Sequence, residues 1–208
     1  MIYIVVIALI LFIAFSYKYA WWKPAVDWKS PRVLMYHMVR DHIDGAKFNK
    51  LRVKPTEFEQ QIAWMKNQGF HFVTMQELQD NWGNHPEKTV AITFDDGYLD
   101  NLENAYPILE KYQAKATIYV VVDRHDRDWS TYKKAHHNSG ELAREPKLND
   151  TQVKQLANSG LVEIGSHTMT HANLAKLTDE ECLAELTQSK MALEHITQQP
   201  VTSFAYPF

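Results

Sequence analysis

The chain has 208 residues, 45% of them hydrophobic, with 22 Lys and Arg against 25 Asp and Glu for a formal net charge of −3. These are the proportions of a folded domain, which excludes wholesale disorder, and without a basic tract they argue against nucleic acid as the main partner. The single cysteine, Cys182, excludes an intramolecular disulfide framework and a zinc ribbon built on CxxC pairs, so any metal site must draw on carboxylates and the 10 histidines.

Residues 2–15 (IYIVVIALILFIAF) are apolar without a break. As a helix they rise roughly 20 Å. Tyr17, Tyr19, Trp21 and Trp22 bring the segment near the ~30 Å hydrocarbon thickness of a bilayer. With Lys18 and Lys23 those aromatics form an interfacial belt, and Pro24 ends the helix. A buried core helix would keep a polar stripe, which is missing here. A cleaved secretory signal would need a positive n-region and an A-x-A site, and neither is visible. The expectation is an uncleaved membrane anchor, with a signal segment as the alternative, over residues 1–23, a linker over 24–30 and a folded domain over 31–208. Lys18, Lys23, Lys29 and Arg32 follow the span. The positive-inside rule alone would keep that side cytoplasmic, and the substrate reached below overrides it.

Beyond Pro31 short apolar runs alternate with amphipathic stretches. Val33 to Tyr36 reads as a strand. A helix follows, with Thr56-x-x-Glu59 as a capping box, Phe58, Ile62 and Met65 on one face, and Gly69 as the C-terminal cap. His71 to Val73 is a brief strand, and Thr74-x-x-Glu77 caps another helical turn. Val90 to Phe94 is a buried-type strand. Asn101 to Tyr112 is helical around Pro107, and Ala116 to Val122 is a β-branched strand. Asp123 to Lys147 is polar and without period, a long loop on the rim of the sheet. Asp150 to Ser159 is a helix stopped at Gly160, and Leu161 to Ile164 a strand. Thr178-x-x-Glu181 caps a long helix to about Thr197, and Val201 to Ala205 is a last strand. This alternation predicts an α/β fold with a mostly parallel sheet. No glycine-rich loop follows a strand, so nothing supports a nucleotide site. A closed α/β barrel needs more elements than this, and the expectation is a fold cut short, with a small open sheet complete as it stands as the alternative.

Two motifs stand at strand ends, where active sites of parallel α/β folds lie. Thr93-Phe94-Asp95-Asp96-Gly97 closes a strand with adjacent carboxylates. Asp-Gly is common at a plain turn, yet two like charges so close repel unless a cation or shared proton compensates. Gly165-Ser166-His167-Thr168-Met169-Thr170-His171 puts two imidazoles at i and i+4, expected on one face of a helical turn. Alone, this pair reads as two surface histidines, and it lacks the Glu of the metalloprotease HExxH helix. Together, a carboxylate and two imidazoles make a three-ligand divalent-metal site with open positions, the catalytic arrangement. Carboxylates adjacent on one strand end do not straddle a glycosidic bond as a glycosidase requires. Cys182, among Leu183, Leu186 and Leu193, reads as packing. His136 and His137 read as solvated. His125 and Asp123 read as loop, and Trp129 as a candidate for stacking on a sugar.

TFDDG followed by HTMTH resembles the polysaccharide deacetylases of carbohydrate esterase family 4, the NodB-homology domain, whose motifs read TFDDG and H-[ST]-x-x-H. The resemblance spans residues 31–208. It implies an incomplete (β/α) barrel of the NodB type behind the N-terminal helix. It also implies metal-dependent removal of N-acetyl groups from an extracellular N-acetylglucosamine polymer. Asp95 would be the general base. Asp96, His167 and His171 would ligate a divalent ion, zinc first, with cobalt, nickel or iron as alternatives. Val33-Leu34-Met35-Tyr36-His37 and Phe204-Ala205-Tyr206-Pro207-Phe208 resemble the subgroup acting on poly-β-1,6-N-acetylglucosamine. Its motif order is permuted, so His37 would be the general acid. Tyr206 and Phe208 would border the substrate, with a backbone N–H near Phe208 helping to hold the oxyanion. Ala205 stands where the wider family has an Arg that orients the base. The partners implied are the polysaccharide and, through the first helix, the membrane, with neither nucleotide nor nucleic acid. A peptidoglycan or chitin deacetylase would share this chemistry, and a non-catalytic, membrane-tethered binding module is the alternative of another class.

Overall fold

The computed structural model describes residues 2–125 and 140–207. Helix α1 (Ile2–Tyr19) precedes everything else. Strands β1 (Arg32–Tyr36), β2 (Met38–Val39) and β3 (Arg52–Val53) lead to helix α2 (Pro55–Asn67). Strand β4 (His71–Val73), helix α3 (Met75–Asp80) and strand β5 (Thr89–Phe94) follow. A π-helical turn (Asn101–Ala105) runs into α4 (Tyr106–Tyr112), and then comes β6 (Ala116–Val120). The last elements are α5 (Glu141–Arg144), α6 (Asp150–Ala157), β7 (Val162–Ser166) and α7 (Asp179–Thr197).

Among the described residues the main sheet has five strands, and all its pairings are parallel. Strand β5 is its centre. One edge pairs with β1, and the other pairs with β4 at its start and β6 at its end. Every residue of β5 and β6 is buried, as parallel strands covered on both faces require. Phe58, Ile62 and Met65 of α2, Leu109 of α4, Val153 and Leu156 of α6, and Leu193 of α7 close over one face in a single core. Each such side chain contributes about 1.5–3 kcal/mol by burial. On β1 the alternation places Leu34 and Tyr36 against this core, while Val33 and Met35 are exposed. Among the described residues β1 has a sheet partner on one side only, so the sheet is an open, barrel-like arc.

Register is what matters for the site. Tyr36 lies opposite Phe94, and Val120 opposite Ser166. The strand ends therefore form one rim, from which His37, Asp95, Asp96 and His167 emerge.

Several local expectations are corrected. Helix α2 begins at Pro55, whose fixed φ suits a first helical position, with Lys54 as N-cap, so Thr56 lies inside the helix and makes no capping box. Helix α1 ends at Tyr19, before Pro24, because Ala20 turns to positive φ. The stretch 101–112 opens with the π turn rather than α-helix. The expected strand Val201–Ala205 is reduced to one parallel bridge, Ser166 to Phe204. The expected rim loop contains α5, and its residues 126–139, with Trp129, His136 and His137, lie outside the described residues. The capping boxes at Thr74 and Thr178 and the positive-φ Gly69 after α2 are present as expected.

Candidate active site

The carboxylate pair owes its position to the end of β5. Asp95 N–H still donates to Tyr36 C=O at 3.0 Å, extending the ladder with β1. The chain then breaks direction, with Asp96 at φ +74° and Gly97 at φ +68°. A side chain at Gly97 would add a second left-handed L-residue in contact with Val120. The reversed loop is held from outside. Leu148 N–H donates to Gly97 C=O, Leu99 N–H to Pro146 C=O, and Tyr98 bridges Lys147.

The histidine pair leaves the end of β7 in the same manner. His167 N–H donates to Val120 C=O at 3.0 Å. Thr168 and His171 then adopt φ +69° and +58°. The expected helical turn is absent. Two left-handed residues fold the loop back and bring the imidazole centroids to 5.0 Å.

These two reversals converge. Asp96 Oδ1 lies 3.4 Å from His167 Nε2 and 3.2 Å from His171 Nε2. One ligating atom from each of the three residues falls within 4.8 Å of the others. Asp96 Oδ1 is buried and has no hydrogen-bond partner among the described residues. A buried carboxylate oxygen without a donor costs free energy unless a cation takes that place. A carboxylate and two imidazoles are a fitting donor set for zinc or a similar ion. His167 Nδ1 faces Ala205 C=O at 3.1 Å, which fixes the tautomer and turns Nε2 toward Asp96.

The electrostatics follow the geometry. Burial pushes Asp96 up, but His167 and His171 outweigh it and hold its carboxyl well below the usual range. For His167 burial favours the neutral ring, and Asp96, Asp95 and the Ala205 carbonyl overturn this and raise its pKa. Asp95 is buried and has its pKa raised, mainly by burial, with His167 and His37 pulling it down. His37 thus belongs to the same field. Its ring follows β1 directly, and its C=O accepts from Asn101 Nδ2 at 2.8 Å.

Of the residues expected from the sequence, Asp95, Asp96, His167, His171 and His37 come together on the rim. Tyr206 is 67% exposed with its ring against Phe204, while its neighbour Ala205 reaches His167. Phe208 lies outside the described residues. Cys182 is half-buried, its thiol donating to Leu174 C=O. Three residues escaped the sequence reading. Asp100 and Asn101, beside the TFDDG motif, grip the backbone after β1. Glu185 grips the histidine loop from α7.

The family profile for polysaccharide deacetylases matches residues 83–208, a span that includes both reversed loops. The chain belongs to the polysaccharide deacetylase family. YxkH of Bacillus subtilis (strain 168), named as a polysaccharide deacetylase, is 35% identical over 191 residues, covering 90% of this chain and 60% of that protein. The poly-β-1,6-N-acetyl-D-glucosamine N-deacetylase of Staphylococcus aureus (strain MRSA252) is 27% identical over 166 residues, covering 75% of this chain and 53% of that protein. The deacetylase PplD of Streptococcus pyogenes, solved in complex with acetate, superposes with a TM-score of 0.70 at 28% identity, covering 88% of this chain and 75% of that one. The chain thus spans between half and two thirds of the length of those two curated relatives. The fold expectation, a parallel α/β sheet of the deacetylase type, is met.

Proposed function

We propose that this deacetylase removes N-acetyl groups from an extracytoplasmic N-acetylglucosamine polymer, poly-β-1,6-N-acetylglucosamine in particular, and that α1 holds it at the membrane. The observation that carries the chemistry is the buried Asp96 Oδ1, without a hydrogen-bond partner among the described residues, facing two imidazole nitrogens, with Asp95 alongside. The S. aureus relative supports the choice of polymer through its name.

Asp96, His167 and His171 would hold the divalent ion, zinc first. Such an ion supplies Lewis-acid chemistry to the acetamide carbonyl and acidifies water. The protein's own groups do the rest. Asp95, adjacent to Asp96 and not a member of the three-ligand cluster, takes the proton of the attacking water. His37, on the other side of Asp95 at the end of β1, gives a proton to the departing amine. Acetate leaves, and the sugar keeps a free amine that is cationic near neutral pH.

The test is acetate release from β-1,6-linked and β-1,4-linked N-acetylglucosamine oligomers in parallel. Asp95→Asn should abolish turnover and keep bound metal, and His167→Ala should lose both. Release from β-1,4 oligomers alone would move the substrate to chitin or peptidoglycan. Metal binding without turnover on either would make the chain a binding module. Normal release by Asp95→Asn would remove the base from the scheme.

A further inference from the structure

Helix α7 lies behind the histidine loop, and its Glu185 reaches into it. Glu185 Oε2 accepts from Met169 N–H and from Thr170 N–H, each at 2.9 Å, and Oε1 accepts from the Thr170 hydroxyl at 2.6 Å. One carboxylate therefore takes three donors between the two histidines. Thr168 and His171, on either side, hold left-handed backbone that L-residues avoid. Such conformations persist only where neighbouring groups over-determine them. The β6 side of the loop is fixed through carbonyls, with Val122 N–H on Thr168 C=O and Asp123 N–H on Met169 C=O. The outward N–H groups, where the chain turns back toward Asp96, are held by Glu185.

We propose that Glu185 is a positioning residue that sets the cation affinity of the Asp96–His167–His171 site. It does so by locking the Thr168–His171 turn so that His171 Nε2 returns to Asp96. The inference rests on the metal-site reading above and adds a residue from a different element, 14 positions beyond His171. Groups that orient metal ligands typically change affinity 10- to 100-fold when removed.

The experiment measures the zinc dissociation constant of the full chain by chelator competition, with circular dichroism of the metal-free protein as the fold control. Glu185→Ala should weaken zinc binding by about 10- to 100-fold. Glu185→Gln should stay close to wild type, because its amide oxygen accepts both N–H groups and its NH2 can donate to the Thr170 hydroxyl. If Glu185→Ala does not fold, Thr170→Val removes one of the three bonds and should weaken binding in the same direction. Wild-type zinc affinity in Glu185→Ala, or in Thr170→Val where the former is unfolded, would overturn the inference and leave the metal site intact. So would Glu185→Gln binding as weakly as Glu185→Ala. A wild-type chain that holds no zinc would remove the metal site and the inference together.

Discussion

Asp100 shows how one buried carboxyl writes a pH dependence into the fold. It is buried beside the reversed TFDDG loop, accepting from Val39 N–H and Asn101 Nδ2, each at 3.1 Å. Burial is the main cause that pushes its pKa up to about 6, and Glu145 adds to this, while the Val39 N–H, Arg40 and Lys147 oppose it. An unfolded chain releases this proton near pH 4, whereas the native state keeps it until about pH 6. Across that window the native state binds more protons, so stability falls as pH rises, by at most about 1.4 kcal/mol per pH unit for this one group. Below the window the contribution is fully present, and above it the loss is complete. Asp100→Asn keeps an acceptor for Val39 N–H and cannot ionise. The variant should therefore be more stable than wild type above pH 6, and the gap should close below pH 4. Thermal melts at pH 4 and pH 8 check this, and a gap that does not change with pH would refute it.

At the scale of elements, the π-helical turn Asn101–Ala105 acts as a clamp on the chain after β1. Asn101 Nδ2 donates to His37 C=O at 2.8 Å, and Asn104 Nδ2 donates to Val39 C=O at 2.7 Å. With Asp100 on Val39 N–H, three side chains fix the three residues that contain His37. Asn101→Ala should lower kcat by roughly tenfold or more with KM little changed, since a small displacement of a proton donor is costly. Asn104→Ala, whose partner Val39 lies two residues beyond His37, should cost less. Steady-state kinetics on N-acetylglucosamine oligomers decide it, and an unaltered kcat in Asn101→Ala would release His37 from this control. This clamp was not legible in the sequence. Its residues sit in an apolar–polar pattern that reads as ordinary helix, and the extra residue of a π turn leaves no periodic trace over five positions. Elements whose ends carry local chemistry were legible. Thr74-x-x-Glu77 and Thr178-x-x-Glu181 close reciprocal capping boxes, whereas the same spacing at Thr56-x-x-Glu59 does not, because Pro55 has already started α2. The histidine pair was legible as a pair and misjudged as a helix. The i, i+4 spacing is equally served by two left-handed residues held from α7, and that support lies 14 residues beyond the second histidine.

At the scale of the whole molecule, parallel register aligns the ends of β1, β5, β6 and β7 on a common rim, where His37 follows β1, Asp95 and Asp96 follow β5, and His167 follows β7 with its N–H docked on Val120 C=O at the end of β6. The order of strands and helices could be read from periodicity, but not this register, which arises from packing between segments far apart in sequence. The same molecule has a second organising feature in α1. Its 18 residues have a mean hydropathy of 2.2 and are almost wholly exposed, so among the described residues the folded domain gives this helix no apolar cover. At 1.5 Å per residue it is about 27 Å long, close to the hydrocarbon thickness. An uncovered apolar helix of that length is stable in a bilayer and a liability in water. The full chain should therefore pellet with membranes, resist extraction at alkaline pH, and give an intact mass that includes residues 1–23. Leu9→Arg, near the helix centre, should cost about 3–4 kcal/mol of insertion free energy and shift the chain toward the soluble fraction. Recovery of wild-type protein in the soluble fraction with an intact N-terminus would refute the anchor. A mass lacking the first helix would show that the segment is removed, leaving the deacetylase domain free of the membrane.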